Sequence, residues 1–222
     1  MKIISWNCNG KFREKYKFIM QEDADIYIIQ ECENLTLYNK IFDNISYNYK
    51  WFGDNKNKGL AIFTKPNITI KDNKWNSYCL RNFVSLKIND KYDLVGVWAC
   101  SPYIEEYYIY QSINIDKYTE NTILIGDFNS NAQWDKKHGK RNHSTVVKEL
   151  DELNIVSAYH YFHKEKMGEE TQPTFYLYRH LDKPHHIDYC FANSQKLKSF
   201  EILNTNKWLK YSDHLPIKVE IE

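Results

Sequence analysis

The chain lacks an excess of charge of either sign. Its 222 residues carry 30 Lys and Arg against 29 Asp and Glu, which gives a formal net charge of +1. No overall basic field attracts nucleic acid to the whole surface, so any polyanionic partner must bind a local cluster of cations. Hydrophobic residues make up 42% of the chain, which is typical of a globular protein rather than a disordered one.

The sequence also lacks a cysteine framework. Its five cysteines are odd in number and include no Cys-x-x-Cys pair. Cys8, Cys100 and Cys190 lie in or beside apolar runs, where a thiol behaves as a small buried hydrophobic group. We therefore expect free thiols in a reducing compartment. The eight histidines show no spacing with cysteine that is typical of a zinc site.

No apolar run approaches the length of a membrane span, and the apolar start of MKIISWNCNG is too short for a signal peptide. We therefore predict a cytoplasmic protein without a membrane span. The chain has no low-complexity block, linker or clear internal repeat, and its length fits one domain over residues 1–222. We expect that domain to be a monomer.

Short apolar runs recur from end to end and predict strands. These strands are Lys2–Trp6, Asp25–Gln30, Leu60–Thr64, Phe83–Ile88, Leu94–Ala99, Thr122–Gly126, Thr174–Tyr178, His186–Ala192 and Ile217–Ile221. Asn57–Lys58–Gly59 predicts a hairpin turn that leads into one of them.

Helical spacing of apolar residues occurs between some of the strands. One helical face is formed by Phe12, Tyr16, Ile19 and Met20. A second is formed by Val146, Leu150 and Leu153, with Ser144 placed as the N-cap. Because strands outnumber helices and the gaps between them vary in length, we predict an α/β sandwich with two stacked sheets and helices outside.

Several predicted strands end in an acid, an amide or a histidine. The residues are Asn7, Asn9, Gln30, Glu31, Asp127, Asn129, Asp188, Asp213 and His214. Each one alone is common in turns and helix caps. Together, carboxylate and carbonyl oxygens without thiolates suit a hard ion such as Mg²⁺ or Mn²⁺. An acid that accepts a proton from water, together with a protonated histidine and a metal, suits hydrolysis of a phosphate ester.

Six motifs in this order resemble the endonuclease/exonuclease/phosphatase superfamily: SWNCNG, IIQECE, KGLAIFTK, GDFNSN, HHIDYCFAN and YSDHLPI. They span nearly the whole chain and are most similar to the exonuclease III and abasic-site endonuclease branch. GDFN and the SDHLPI ending are the most specific of them. The resemblance implies a four-layered α/β sandwich, in which two stacked mixed β-sheets are flanked by helices.

The resemblance also implies a metal site. Asn7 and Glu31 match the residues that support and bind the metal in the family, and Asp213 would lie near it. The implied cofactor is Mg²⁺ or Mn²⁺.

The remaining motif residues match catalytic positions of the family. Asp127 would activate or orient the attacking water, and Asn129 would contact the water or the phosphate. Asp188 would lie next to the active site, and His214 would contact the scissile phosphate.

Two positions depart from the family pattern. His186 stands where an Arg usually precedes the Asp motif. Ala99 and Cys100 stand near the place of a Tyr or His that contacts the phosphate or assists the leaving group. Tyr103, Tyr107 or a histidine from another loop could take over that role, or the metal alone could suffice.

The segment after GDFN offers an aromatic residue and several cations, namely Trp134, Lys136, Lys137 and Arg141. Such a segment is compatible with a solvated loop, but its position beside a catalytic motif favours substrate binding. Aromatic rings can stack on bases and cations can neutralise phosphates. Two more cations are predicted to bind substrate: Arg179 in FYLYRHLDKPHH, and Arg81 ahead of a strand.

Three functions remain open from the sequence. The first is a divalent-metal-dependent nuclease that hydrolyses DNA phosphodiesters. The second is a phosphatase or phosphodiesterase of a small phosphorylated molecule, such as an inositol phosphate or a nucleotide. The third is a binding protein on an inactive frame, which the intact motif residues disfavour.

Overall fold

The computed structural model describes residues 1–38, 42 and 45–222. Its α-helices are α1 (Phe12–Met20), α2 (Ile104–Asn114), α3 (His143–Asp151), α4 (Ala158–His163) and α5 (Thr205–Trp208). Short 3-10 helices cover Leu35–Tyr38, Ile115–Lys117, Ala132–Lys137 and Leu177–Arg179. None of the helices in this part of the chain is long and apolar enough to cross a membrane.

The strands follow in chain order. The first five are β1 (Lys2–Asn7), β2 (Ile26–Cys32), β3 (Asn48–Asn55), β4 (Lys58–Thr64) and β5 (Ile70–Asp72). The next four are β6 (Phe83–Ile88), β7 (Tyr92–Trp98), β8 (Thr122–Asp127) and β9 (Ile155–Ser157). The last five are β10 (Phe175–Tyr176), β11 (Pro184–His185), β12 (Asp188–Asn193), β13 (Leu197–Ile202) and β14 (Ile217–Ile221).

Two six-stranded sheets have the same internal plan. The first has the order β13-β14-β1-β2-β4-β3 and the second the order β5-β6-β7-β8-β12-β9. In each sheet the central pair is parallel, β1 with β2 and β7 with β8, and the outer pairings are antiparallel. Both sheets are therefore mixed, as predicted. The pair β10-β11 forms a small separate hairpin.

The two sheets stack face to face with helices outside them, which gives the predicted four layers. Side chains alternate between the two faces of each strand, so in β1 Ile3 lies in the core between the sheets and Ile4 packs on the outer face with Phe12 of α1. On the far side, residues of α2 and α3 share a third core with β7, β8 and β12. The sheets approach closely at Gly96, where a Cβ atom would lie 3.2 Å from Leu60.

A buried carboxylate begins α1 and holds it to the end of β2. Glu33 accepts hydrogen bonds from the backbone N–H groups of Phe12 (2.7 Å) and Arg13 (3.0 Å), and it also pairs with the Arg13 guanidinium. A carboxylate stabilises the N-terminal end of a helix because free N–H donors and the helix dipole meet there. This contact ties the loop after β1 to the segment after β2.

The predicted strands are all present, although several boundaries move. The strand predicted at Thr174–Tyr178 is shorter, because only Phe175–Tyr176 pairs and a 3-10 helix follows. The predicted hairpin turn is confirmed one residue earlier, since β3 ends at Asn55 and β4 begins at Lys58. Helix α2 was not predicted, because polar residues occupy some of its buried positions.

The strands that were not predicted include all four sheet edges: β3, β5, β9 and β13. Three of these, β3, β5 and β13, expose many of their residues to water and so carry no continuous apolar run. The fourth, β9, has only three residues. Edge strands need fewer apolar residues than central ones, so their pattern is weak.

The predicted N-cap of α3 is wrong. Helix α3 begins at His143, and Asn142 caps it by accepting a hydrogen bond from the Thr145 backbone N–H at 2.9 Å. Ser144 is exposed and lies inside the first turn. Leu153 lies beyond the end of the helix. The cap side chain must precede the first helical residue, which Ser144 does not.

We expect Asn142→Ala to destabilise the protein by about 1 kcal/mol through loss of the cap. For a chain of this size the melting temperature should fall by roughly 2–4 °C, measured by circular dichroism. Ser144→Ala is the control and should change it little. A larger effect at Ser144 than at Asn142 would contradict the capping assignment.

Candidate active site

Three of the predicted functional side chains lie at the ends of central strands. Asn7 ends β1, Asp127 ends β8 and Asp188 begins β12. Asp127 and Asp188 are directly opposed across the antiparallel ladder of β8 and β12. Directly opposed side chains lie on the same face of a sheet, so strand pairing places the two carboxylates side by side.

His214 lies between these two carboxylates. Its Nδ1 is 3.0 Å from Oδ2 of Asp188, and its Nε2 is 3.9 Å from Oδ2 of Asp127. The backbone on either side of the ring is also held, since the N–H of His214 donates to Ser212 Oγ and its carbonyl accepts from Trp6 Nε1. All three members of the cluster are buried, so the imidazole has a defined position and orientation.

The charges of these groups shift one another's pKa. Burial alone would lower the pKa of His214, but the carboxylates of Asp188 and Asp127 raise it to about 10. Burial raises the pKa of Asp127 above its usual value, and the positive charge of His214 opposes that rise. His214 is therefore a cation at neutral pH, with Nε2–H directed toward Asp127.

Two amides hold the carboxylate of Asp127. Asn7 Nδ2 donates to its Oδ2 at 2.9 Å, and Asn129 Nδ2 donates to the same oxygen at 3.0 Å. The backbone N–H of Asn129 donates to Oδ1 at 2.9 Å. Asn129 reaches this position with a φ of +47°, a left-handed conformation that asparagine tolerates better than most residues. Both asparagines predicted from the motifs thus contact the same acid.

Glu31 lies in β2 where the pairing with β4 is irregular. Its φ of +56° is strained for a residue other than glycine, and such strain is typical of functional sites. Its Oε1 is 3.5 Å from Asn7 Nδ2, and its Oε2 is 2.5 Å from Lys58 Nζ. Asn7 Nδ2 therefore contacts both Asp127 and Glu31 and connects the two acids.

Asp213 approaches the loop after β1. Its Oδ1 accepts from Asn9 Nδ2 at 3.0 Å and lies 3.4 Å from Ser212 Oγ. Asn9 and Lys58 contact predicted metal-site acids, but the sequence interpretation assigned them no role. Both stand inside quoted motifs, Asn9 in SWNCNG and Lys58 in KGLAIFTK. That position within the motifs was the sequence feature that could have identified them.

The oxygen-rich side chains of the site fit a hard divalent ion. One group of acids and histidine in the described part of the chain could hold a metal, since the ligand atoms of Asp127, Asp188 and His214 lie within 4.8 Å of one another. A protonated imidazole has no lone pair for a metal, so His214 acts here as a hydrogen-bond donor and not as a metal ligand. The carboxylate and carboxamide oxygens of Glu31, Asp213 and Asn7 are the ligand type that Mg²⁺ and Mn²⁺ prefer.

One departure from the family pattern is the missing Tyr or His near Cys100, and the structure shows which nearby tyrosine lies at the site. Tyr107 is buried in the core against Phe128, so it is not available to a leaving group. Tyr103 is 44% exposed and lines a pocket with Asn129, which leaves it as the tyrosine at the site. Cys100 is half-buried, and its Sγ accepts a hydrogen bond from Asn82 at 3.3 Å.

His186 does not replace the usual arginine as an exposed cation. It is buried behind Asp188, with Nδ1 2.7 Å from the Gln172 carbonyl and its ring packed against Tyr159 and Tyr189. Burial lowers the pKa of His186 to about 4, so it is neutral at physiological pH and supports the strand that carries Asp188.

A pocket of about 320 Å³ opens beside the acids. It is lined by Tyr103, Asn129, Trp134, Lys137, His138, Phe175 and Ile187. Two of the predicted substrate-binding residues, Trp134 and Lys137, are therefore brought to the site. The Phe175 ring also packs on His214, with ring centroids 4.6 Å apart, so the pocket and the acid cluster share a wall.

The other predicted substrate cations lie elsewhere. Lys136 and Arg141 are exposed and do not line this pocket. Arg179 donates to the backbone carbonyls of residues 210 and 211, shortly before the His214 loop. Arg81 lines a separate pocket of about 390 Å³ and lies 4.0 Å from Asp54.

We expect Asp188→Asn to lower the pKa of His214, because one of the two facing carboxylates loses its charge. The folded pKa lies above the usual value of 6.5. Protonated His214 therefore stabilises the fold fully below that value, and this contribution is lost as the pH rises toward about 10. A ¹⁵N NMR titration of the imidazole checks both statements, with Asp90→Asn as a surface control. A wild-type ring that titrates near its usual value would contradict the charge assignment.

The sequence matches the family model described as Endonuclease/Exonuclease/phosphatase family over residues 4–214. No curated protein sequence matches the chain significantly. Among solved structures, the Neisseria 3′ phosphatase NExo bound to a product DNA hairpin is 16% identical with a TM-score of 0.73, covering 100% of this chain and 99% of that one. The AP endonuclease from Archaeoglobus fulgidus is 19% identical with a TM-score of 0.71, covering 100% and 99%.

D. rerio TDP2 complexed with a single-strand DNA product is 15% identical, with a TM-score of 0.65, and the match covers 100% of this chain and 98% of that one. At such identities the structural likeness shows the fold alone. The family model, by contrast, matches nearly the whole chain, including every strand end that carries the acids, amides and histidine described above. The resemblance predicted from the motifs is confirmed, and the chain belongs to the endonuclease/exonuclease/phosphatase family.

Proposed function

We propose that this protein is a divalent-metal-dependent phosphoesterase that hydrolyses phosphodiester bonds in DNA. One observation carries the proposal, namely the buried cluster in which His214 lies between the carboxylates of Asp188 and Asp127. In it an imidazolium stands 3.9 Å from a carboxylate that two asparagine amides hold in place. This arrangement offers a proton acceptor and a charged donor within one small space.

Asp127 is the proton acceptor in this scheme. A water attacks the phosphorus and its proton passes to the Asp127 carboxylate. The leaving oxygen departs with the electron pair of its bond to phosphorus and takes a proton from solvent. Burial raises the pKa of Asp127, which makes its carboxylate a better base than an exposed aspartate at neutral pH. Asn129 and Asn7 orient the carboxylate, and Asn129 also faces the pocket where the substrate would lie.

His214 is the charged donor. Charge on the phosphoryl oxygens is stabilised by donors that are already in position, and charged donors form the stronger hydrogen bonds. Asp188 keeps the imidazole protonated and fixes its orientation through Nδ1. Glu31, Asn7 and Asp213 would hold a divalent ion such as Mg²⁺ or Mn²⁺, which supplies further positive charge to those oxygens when bound.

The pocket supports a nucleic acid substrate. Its aromatic and apolar walls, from Trp134, Phe175 and Ile187, can pack on a sugar or base, and Lys137 can neutralise a neighbouring phosphate. Three proteins with the same fold carry descriptions that name DNA or an abasic-site activity. These two observations favour DNA.

A small phosphoester is the second candidate, because the net charge of +1 and the compact pocket beside the acids would also suit a nucleotide or an inositol phosphate. Salt dependence separates the two. Binding of long DNA should weaken steeply with salt because counterions are released, whereas a small ligand should show a shallow slope. A cleavage panel of double-stranded, single-stranded and abasic DNA, RNA and small phosphoesters then identifies the substrate.

We expect Glu31→Gln to reduce activity strongly at limiting metal, because a hard ion loses a charged oxygen ligand. Excess Mg²⁺ or Mn²⁺ should restore part of the rate, and calorimetry should show weaker metal binding. Glu22→Gln, which removes a surface carboxylate paired with Lys207, is the control and should behave as wild type. Full activity of Glu31→Gln at limiting metal would refute the ligand assignment.

We expect Trp134→Ala and Lys137→Ala to raise KM more than they lower kcat. Loss of one stacking ring costs about 1–3 kcal/mol, which is roughly tenfold or more in affinity. Lys136→Ala removes a neighbouring exposed cation outside the pocket and should change KM little. If kcat falls while KM stays constant, the pocket does not bind substrate as proposed.

A further inference from the structure

A buried amide joins three segments behind the pocket. Asn131 is 1% exposed. Its Nδ2 lies 2.9 Å from Glu170 Oε2, 3.0 Å from the His186 carbonyl and 3.0 Å from the Tyr189 hydroxyl. Its Oδ1 accepts from the Gln133 backbone N–H at 3.0 Å. One side chain thus connects the segment after β8, the start of β12 and the segment that precedes β10.

Glu170 holds the third of these segments. Its side chain is 4% exposed, and its Oε1 lies 3.1 Å from His160 Nε2. The same oxygen accepts from the Gly168 backbone N–H at 2.9 Å. Burial alone would raise the pKa of Glu170, but hydrogen bonds from His160, Gly168 and Asn131 lower it to about 2. Glu170 is therefore a buried carboxylate whose acceptors are occupied by α4, its own loop and Asn131.

The backbone around Gly168 brings this loop directly against the segment after β8. Gly168 has a φ of +89°, and a Cβ atom there would lie 3.4 Å from Ala132 Cβ and 3.5 Å from the Gln133 backbone nitrogen. The loop and the 3-10 helix at Ala132–Lys137 are thus in contact along their backbones, in addition to the link between Asn131 and Glu170.

The link reaches both walls of the pocket. Asn131 is the N-cap of the 3-10 helix that carries Trp134 and Lys137, which form one wall. On the other side, Asn131 contacts the carbonyl of His186, which directly precedes Ile187, and Ile187 lies in the pocket lining as well. The distance between the walls therefore depends on the bonds that Asn131 makes to each of them.

We propose that Asn131 and Glu170 are positioning residues that set the spacing of the pocket walls and thereby select the group that flanks the scissile phosphate. Neither residue lines the pocket, so they act through Trp134 and Ile187. This inference rests on the proposed function, since it takes the pocket as the site of the substrate's flanking group.

The chain contains a second buried amide–carboxylate contact, which does not reach the pocket. Gln111 is fully buried, and its Nε2 donates to Glu149 Oε2 at 2.8 Å and to the Val146 carbonyl at 3.2 Å. That pair joins α2 to α3, and neither member lines the pocket. Glu149→Gln and Glu170→Gln are therefore the same chemical change in similar amide–carboxylate contacts.

The experiment compares these two variants with wild type on two substrates. A DNA oligonucleotide carries a flanking group that fills the pocket, and methyl p-nitrophenyl phosphate offers only a methyl group beside its chromophore. We expect Glu170→Gln to change the ratio of kcat/KM between the two substrates at least fivefold, mainly through KM for DNA. Glu149→Gln should lower the melting temperature at most and leave that ratio within twofold of wild type. Equal ratios in both variants would overturn the proposal.

A second variant keeps the test valid if Glu170→Gln folds poorly. Glu170→Asp keeps the charge but shortens the side chain by one methylene group, so it weakens the contact with Asn131 Nδ2 and leaves the contacts of Asn131 with the His186 carbonyl and the Tyr189 hydroxyl in place. A changed substrate ratio in folded Glu170→Asp supports the proposal, and a wild-type ratio in that folded variant overturns it. If the wild type cleaves neither substrate with any divalent metal, the proposed function itself fails, and this inference fails with it.

Discussion

The contact of His214 with the carboxylates of Asp188 and Asp127 is the interaction on which the rest of the site depends. A buried charge without a partner is strongly destabilising, so none of the three could remain ionised alone at this depth. Together they compensate one another, and the imidazole stays protonated where burial alone would make it neutral. The β8–β12 pairing supplies the two acids, and the loop before β14 supplies the ring.

The plan of the two sheets explains why these groups meet. Each sheet has a parallel pair at its centre, so Asn7 at the end of β1 and Asp127 at the end of β8 are presented at one edge of the sandwich. The irregular end of β2 turns Glu31 toward the same edge at the cost of a strained φ. The carboxylate of Glu33 holds the neighbouring loop by starting α1. Rigid strands thus carry most of the site, and two of its residues, Glu31 and Asn129, enter it with a positive φ.

The acid cluster and the pocket beside it are built from different interactions. The cluster depends on charge and burial, whereas the pocket is lined largely by aromatic and apolar side chains. In our proposal a neutral amide, Asn131, spans the pocket walls from behind, and the buried carboxylate of Glu170 holds the amide. A neutral link of this kind can vary without altering the charges at Asp127 and His214.

The sequence by itself determined the central strands and indicated the residues that we assign to the candidate site. Ile123, Leu124 and Ile125 form an apolar run because their strand is buried on both faces, and the polar residues after Gly126 follow because that strand ends at the site. Tertiary structure alone decided which groups touch. The link from Asn131 to Glu170 spans 39 positions, and no local pattern encodes a contact at that separation. Likewise, Tyr103 and Tyr107 lie one helical turn apart, yet only packing shows that Tyr107 is buried in the core and Tyr103 faces the pocket. Local propensities act over a few residues, whereas burial and pairing depend on how the two sheets stack.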